Sequence, residues 1–121
     1  MFSYKVKIME DKIVMHIKNP KPRDRDGHPV KPLWYPNAIS RKLTEFLNEY
    51  GEVEMVGLGP GSVNNMVKAI CHAQRYLKRE GKNLVADEFA LKTVDLQQSD
   101  GSVLKGKAVS VEVQLVSASP E

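Results

Sequence analysis

At 121 residues, 41% hydrophobic and 27% charged, the chain fits one globular domain over residues 1–121 and leaves little for a second. Its 18 Lys and Arg against 15 Asp and Glu give a net charge of +3, a mild basic excess that permits polyanionic partners without requiring them. One cysteine, Cys71, excludes an internal disulfide framework, and three scattered histidines make no metal site; no segment has the length of a membrane span, and the start lacks the apolar run of a signal peptide. The expectation is a cytoplasmic protein with no cofactor, no metal and no membrane partner.

In chain order, Tyr4, Val6 and Ile8 and then Ile13, Met15 and Ile17 alternate with polar residues on either side of Glu10 and Asp11, which predicts a β-hairpin. Residues 18–35 hold Pro20, Pro22, Pro29, Pro32 and Gly27, a density that no helix or central strand accepts, so this segment reads as a long loop. Ile39, Leu43, Phe46, Leu47 and Tyr50 recur at helical spacing, predicting a helix from Pro36 to Tyr50 capped by Gly51. Val53, Met55 and Val56 form a short buried strand leading into a turn rich in glycine, Gly57 to Gly61.

From Ser62 to Arg79 the apolar positions Val63, Met66, Val67, Ile70, Ala73 and Leu77 fall on one face, and Gly81 suits the end of that second helix. Cys71 sits near the edge of this face and reads as a small core residue, while His72 is expected to face solvent. Residues 84–96 and 109–115 read as strands joined by a polar hairpin tip over 97–106, and residues 117–121 as a frayed tail. Val109 to Leu115 shows one apolar face, leaving room for it to be a sheet edge. Behind the opening hairpin strand the order is β-α-β-α-β-β. The predicted fold class is therefore α+β, a mixed sheet with both helices on one face.

Charge is unevenly placed: residues 18–35 carry +3 and residues 62–82 carry +4, while 36–61 and the stretch after 82 are net acidic. In the proline-rich loop Lys18, Lys21, Arg23, Arg25 and Lys31 stand near Trp34 and Tyr35, a mixture suited to phosphate and base contacts and equally to a solvated loop whose aromatics close the core. On the second helix Lys68, His72, Arg75, Arg79 and Lys82 lie within about 40° of one line. An ordinary charged outer face accounts for this ridge slightly better than a binding function does, although such faces normally interleave both signs.

Gly59, Pro60, Gly61 and Ser62 lead from strand to helix, where free amides and the helix dipole attract an anion. The turn is neither a Walker loop nor a dinucleotide fingerprint, and close strand-to-helix packing explains its glycines on its own. The run Gly59-Pro60-Gly61-Ser62-Val63-Asn64-Asn65-Met66-Val67-Lys68-Ala69-Ile70 resembles the stage V sporulation protein S family, with Gly-x-Gly, Asn and Val-Lys-Ala in order, and the similarity extends loosely over residues 13–116. That family is similar to the Alba superfamily of small α+β nucleic-acid-binding proteins. The resemblance implies an Alba-like fold, a homodimer and binding of DNA or RNA, linked to sporulation or its regulation. It makes Gly59, Gly61, Asn64 and Lys68 signature residues, with Asn64 tying down the turn through its amide. The turn lacks the arginine that Alba proteins carry there, and the basic loop and opening hairpin look like additions to a shorter family member.

Two functions from different classes follow. The first is phosphate-backbone binding through the basic loop, the Gly59 to Asn64 turn and Lys105 and Lys107 on the closing hairpin arm. The second is a regulatory or adaptor module that takes a protein or small anion at the glycine turn. No nucleophile, base and orienter assemble into an enzyme, and no catalytic residue is assigned.

Overall fold

The computed structural model describes residues 4–9, 12–18 and 34–117; Lys21, Arg23, Arg25 and Lys31, most of the predicted loop and the tail after Ser117 lie outside the described residues. Strands β1 (Tyr4–Met9), β2 (Lys12–Ile17), β3 (Glu52–Leu58), β4 (Lys82–Gln97) and β5 (Val103–Ser117) form one sheet in the order β1-β2-β3-β5-β4. Helix α1 (Trp34–Tyr50) joins β2 to β3, and α2 (Pro60–Arg79) joins β3 to β4. β2 and β3 run parallel, while every other neighbouring pair is antiparallel. This is the α+β, β-α-β-α-β-β arrangement behind an N-terminal hairpin strand, consistent with an Alba-like fold.

Strand alternation decides where the core lies. Register sets Ile13 and Met15 beside Val53 and Met55, and Val113 and Val111 beyond them. Ile39, Leu43 and Leu47 from α1 and Met66, Ala69, Ala73 and Leu77 from α2 close over this row, so both helices cover the same face. Each buried Leu, Ile or Met contributes about 1.5–3 kcal/mol relative to exposure. The small Ala69 and Ala73 let α2 approach closely, and Val67, expected in this stripe, is instead 47% exposed on its flank. Cys71 is exposed too, which corrects its reading as a core residue: it lies past the edge of the apolar arc.

Helix α1 starts two residues before its predicted start, so Trp34 and Tyr35 belong to the helix and not to the loop. Its end is as expected, with Gly51 at φ 85° donating its N–H to the Leu47 carbonyl at 2.9 Å. The β4–β5 hairpin is longer than its apolar alternation suggests. Lys105 reaches Asp95 at 2.5 Å and Lys107 donates to Thr93 Oγ1 at 2.7 Å, so polar cross-strand pairs carry the ladder outward and the tip shrinks to Gln98–Ser102. β5 is interior, between β3 and β4; the sheet edges are β1 and β4, the latter bulged between Asp87 and Ala90 with Glu88 at φ 55°.

The sheet face away from the helices carries a second apolar cluster, Val14, Val56 and Ala108, beside a buried charge, Glu54. Register sets Glu54 opposite Glu112, a like-charge pair that would be unfavourable alone. Lys12 bridges both carboxylates, at 3.3 Å from Glu54, and Lys92 hydrogen-bonds the other Glu54 oxygen. Burial pushes the Glu54 carboxyl upward, but the hydrogen bonds and charges of Lys92 and Lys12 outweigh it and hold the group below its ordinary value. The Glu112 hydrogen bond likewise raises Lys12.

A carboxyl depressed in the folded state stabilises fully above its unfolded value, about pH 4.3, and loses that contribution as pH falls through the folded value. The lysine partners are 34% and 48% exposed, so screening reduces the effect. Glu54→Gln is expected to cost about 1–2 kcal/mol at neutral pH and much less near pH 3. Urea unfolding at both pH values measures this, and an equal loss at the two would count against the network.

Candidate nucleic-acid interface

Connectivity gathers the predicted site at one end of the sheet. β2 and β3 both point their C-terminal ends there, so Lys18 leaves β2 and Gly59 leaves β3 on the same side. Helix α1 must start at this end in order to finish at the beginning of β3, and α2 starts here directly. The positive ends of two helix dipoles therefore share one side of the molecule. β3 stops at Leu58, opposite Ala108, while β4 and β5 continue past it as a two-stranded arm carrying Lys105 and Lys107.

The turn itself is built by glycine. Gly59 sits at φ 89°, ψ 159°, a region that residues with a Cβ essentially never occupy, and serves as the N-cap of α2 without any side-chain cap. Its carbonyl accepts the Val63 N–H at 3.1 Å, and Pro60 takes the first helical position, where a missing N–H costs nothing. No acidic side chain occupies the first turn, so the dipole is left uncompensated by the chain. Gly57, assigned to the turn in the sequence reading, belongs to β3. A Cβ there would lie 3.3 Å from the Val63 backbone nitrogen, so this glycine lets the first turn of α2 rest directly on the strand. The signal for it was present as a glycine inside the apolar run Met55-Val56-Gly57-Leu58.

Among the other predicted residues, Lys18, Asn64 and Lys68 are exposed. The Asn64 side chain makes no hydrogen bond among the described residues, so its amide does not tie down the turn; the buried neighbour on α2 is Asn65, at 6% exposure. Lys105 and Lys107 are exposed but already hold Asp95 and Thr93, contacts that keep the lysines extended along the arm. Gly59, Gly61, Asn64 and Lys68 are thus brought together, with the arm on the same side and Lys18 at the root of the basic loop.

Other chemistry finds less support. A groove of about 520 Å³ between α1 and α2 is lined by Arg41, Glu45, His72, Tyr76 and Glu80, both signs mixed, and His72 is half-buried there instead of solvent-facing. Among the described residues no group of His, Cys, Asp and Glu is arranged to hold a metal ion, and no helix is long and apolar enough to cross a membrane.

A search of curated proteins finds no match to the chain. The sequence model of a family described as Stage V sporulation protein S matches residues 33–114, from the start of α1 through most of β5. It leaves out β1 and β2. Because the match covers well over half of the chain and includes the Gly59 to Ile70 run, this protein belongs to the stage V sporulation protein S family.

Proposed function

We propose that this member of a sporulation family is a nucleic-acid-binding regulatory protein that grips the phosphate backbone of DNA or RNA with the end of the sheet where both helices begin. Family membership supports a sporulation regulatory role. The observation that carries the nucleic-acid reading is the meeting, on one side, of an uncapped, acid-free α2 N-terminus with Lys18, Lys68 and an arm bearing Lys105 and Lys107. Phosphate oxygens match N–H and ammonium donors, and nothing in this set reads a base edge, so sequence preference is weak. Lys21, Arg23, Arg25 and Lys31 on the intervening loop would add contacts. The protein acts as a homodimer, supported by apolar Val67, Phe89, Leu91 and Val103, 47%, 64%, 71% and 54% exposed along α2 and the β4–β5 hairpin.

Fluorescence titrations with labelled duplex DNA, single-stranded DNA and RNA at two salt concentrations test the first claim. Three phosphate contacts from Lys68, Lys105 and Lys107 give an expected log-log salt slope of about −2 to −3, and a binding curve flat in salt would overturn it. Stabilisation by inorganic phosphate but not by oligonucleotides would favour a small anionic ligand at the glycine turn instead.

Gly59→Ala forces an L side chain into the turn's backbone conformation and is expected to cost about 1–3 kcal/mol of stability while weakening oligonucleotide binding. Thermal unfolding and the same titration read the two effects. Light scattering is expected to give twice the chain mass for the wild type and a monomer for Leu91→Asp; a monomeric wild type would remove the dimer.

A further inference from the structure

Helix α2 contains no Asp or Glu anywhere in its 20 residues. Lys68, Arg75, Lys78 and Arg79 are exposed on it, and their side chains make no ion pair or hydrogen bond among the described residues. Elsewhere the pattern is the reverse: Lys12, Lys42, Lys92 and Lys105 each sit against a carboxylate. The helix dipole accounts for cations in the last turn, Lys78 and Arg79, but not for Lys68 and Arg75 further back. Arg75 also stands three and four residues from Lys78 and Arg79, spacings at which like charges repel.

The cations also border a shaped surface. A concavity of about 420 Å³ between α2 and the start of β4 is lined by Cys71, Gln74, Arg75, Lys78, Lys82 and Asn83, with no carboxylate among them. Gln74 and Asn83 add neutral amide donors. Lys82 donates to Asn48 Oδ1 at 2.8 Å, which fixes its stem at the margin and leaves Arg75 and Lys78 to face an incoming group. Such a wall offers a planar guanidinium fork, a mobile ammonium and amides, the donor set that a phosphate takes. The mixed-sign groove on the other side of α2 offers no equivalent.

We infer that this concavity is a second phosphate-binding site. A nucleic acid held at the glycine turn continues along the outer face of α2, past Lys68, to place a further backbone phosphate between Arg75 and Lys78. The inference rests on the nucleic-acid reading above and lengthens its footprint by about three helical turns, since Lys68 to Arg79 spans 11 residues at 1.5 Å each.

Two pairs of substitutions remove equal charge: Arg75→Gln with Lys78→Gln in the concavity, and Arg41→Gln with Lys42→Gln on α1. The concavity pair is expected to make the salt slope of oligonucleotide binding shallower by about 0.7–0.9, the value for one lost phosphate contact, while the α1 pair leaves it unchanged. Cys71, exposed in the concavity, supplies a second readout: saturating oligonucleotide is expected to slow its alkylation several-fold in the wild type. Binding whose slope is the same in both pairs, with Cys71 unprotected, would overturn the concavity and leave the turn and arm standing. Failure of the wild type to bind any oligonucleotide would overturn the nucleic-acid reading and this inference with it.

Discussion

The parallel pairing of β2 with β3 is the constraint from which the candidate interface follows. Parallel neighbours require a crossover, and the crossover here is α1, so its start is carried back to the end where β2 finished. Helix α2 leaves β3 at that same end. Two helix starts, the root of the basic loop and the emergence of the arm then coincide without any residue being placed there for binding alone. Gly57 makes the arrangement tight, because the first turn of α2 can lie on β3 only where the strand has no side chain. The electropositive end is thus a property of topology first and of lysine placement second.

The opposite sheet face shows how the chain handles charge it does not offer to a ligand. Glu54 is buried on a face that no described helix covers, and its register partner is another glutamate. Lys12 approaches from the neighbouring β2 and Lys92 from β4, beyond β5, and together they turn a repulsive pair into a bridged network. Their ammonium groups are committed, which removes them from the cationic surface available to a polyanion. Lys12 and Lys92 therefore serve the fold, whereas the exposed cations of α2 do not.

Much of this was legible because side-chain period reports secondary structure directly. Alternation in residues 4–8, 13–17 and 109–115 and the 3.6-residue spacing of Ile39, Leu43 and Leu47 located strands and helix, although β5 begins six residues earlier, at Val103. Where the reading failed, the residues obeyed a tertiary rule. Lys105 looks like a loop residue until its pairing with Asp95 across the arm is seen, and Cys71 and Val67 look like core residues until the width of the α2 contact is known. The burial of Asn65 in place of Asn64 differs by one helical position, which a pattern alone does not resolve. At the site, the glycine turn announced itself by composition; the convergence of turn, arm and loop root did not, since it depends on which strands are parallel.

These two uses of charge bear on how a polyanion would lie. Helix α1 presents Glu45 and Glu49 together with Arg41 and Lys42, the last 2.9 Å from Glu45, and Glu52 follows at the start of β3, so the side of the molecule beyond α1 mixes both signs. Helix α2, with no acid in its length, is the neighbouring surface that does not. A strand anchored at the Gly59 turn, as proposed, would thereby be guided along α2 and away from the groove between the helices, which has carboxylates in its wall. The net charge of +3 conceals this division: Lys68, Arg75, Lys78 and Arg79, exposed and without a carboxylate partner among the described residues, share one helix that starts at the candidate interface.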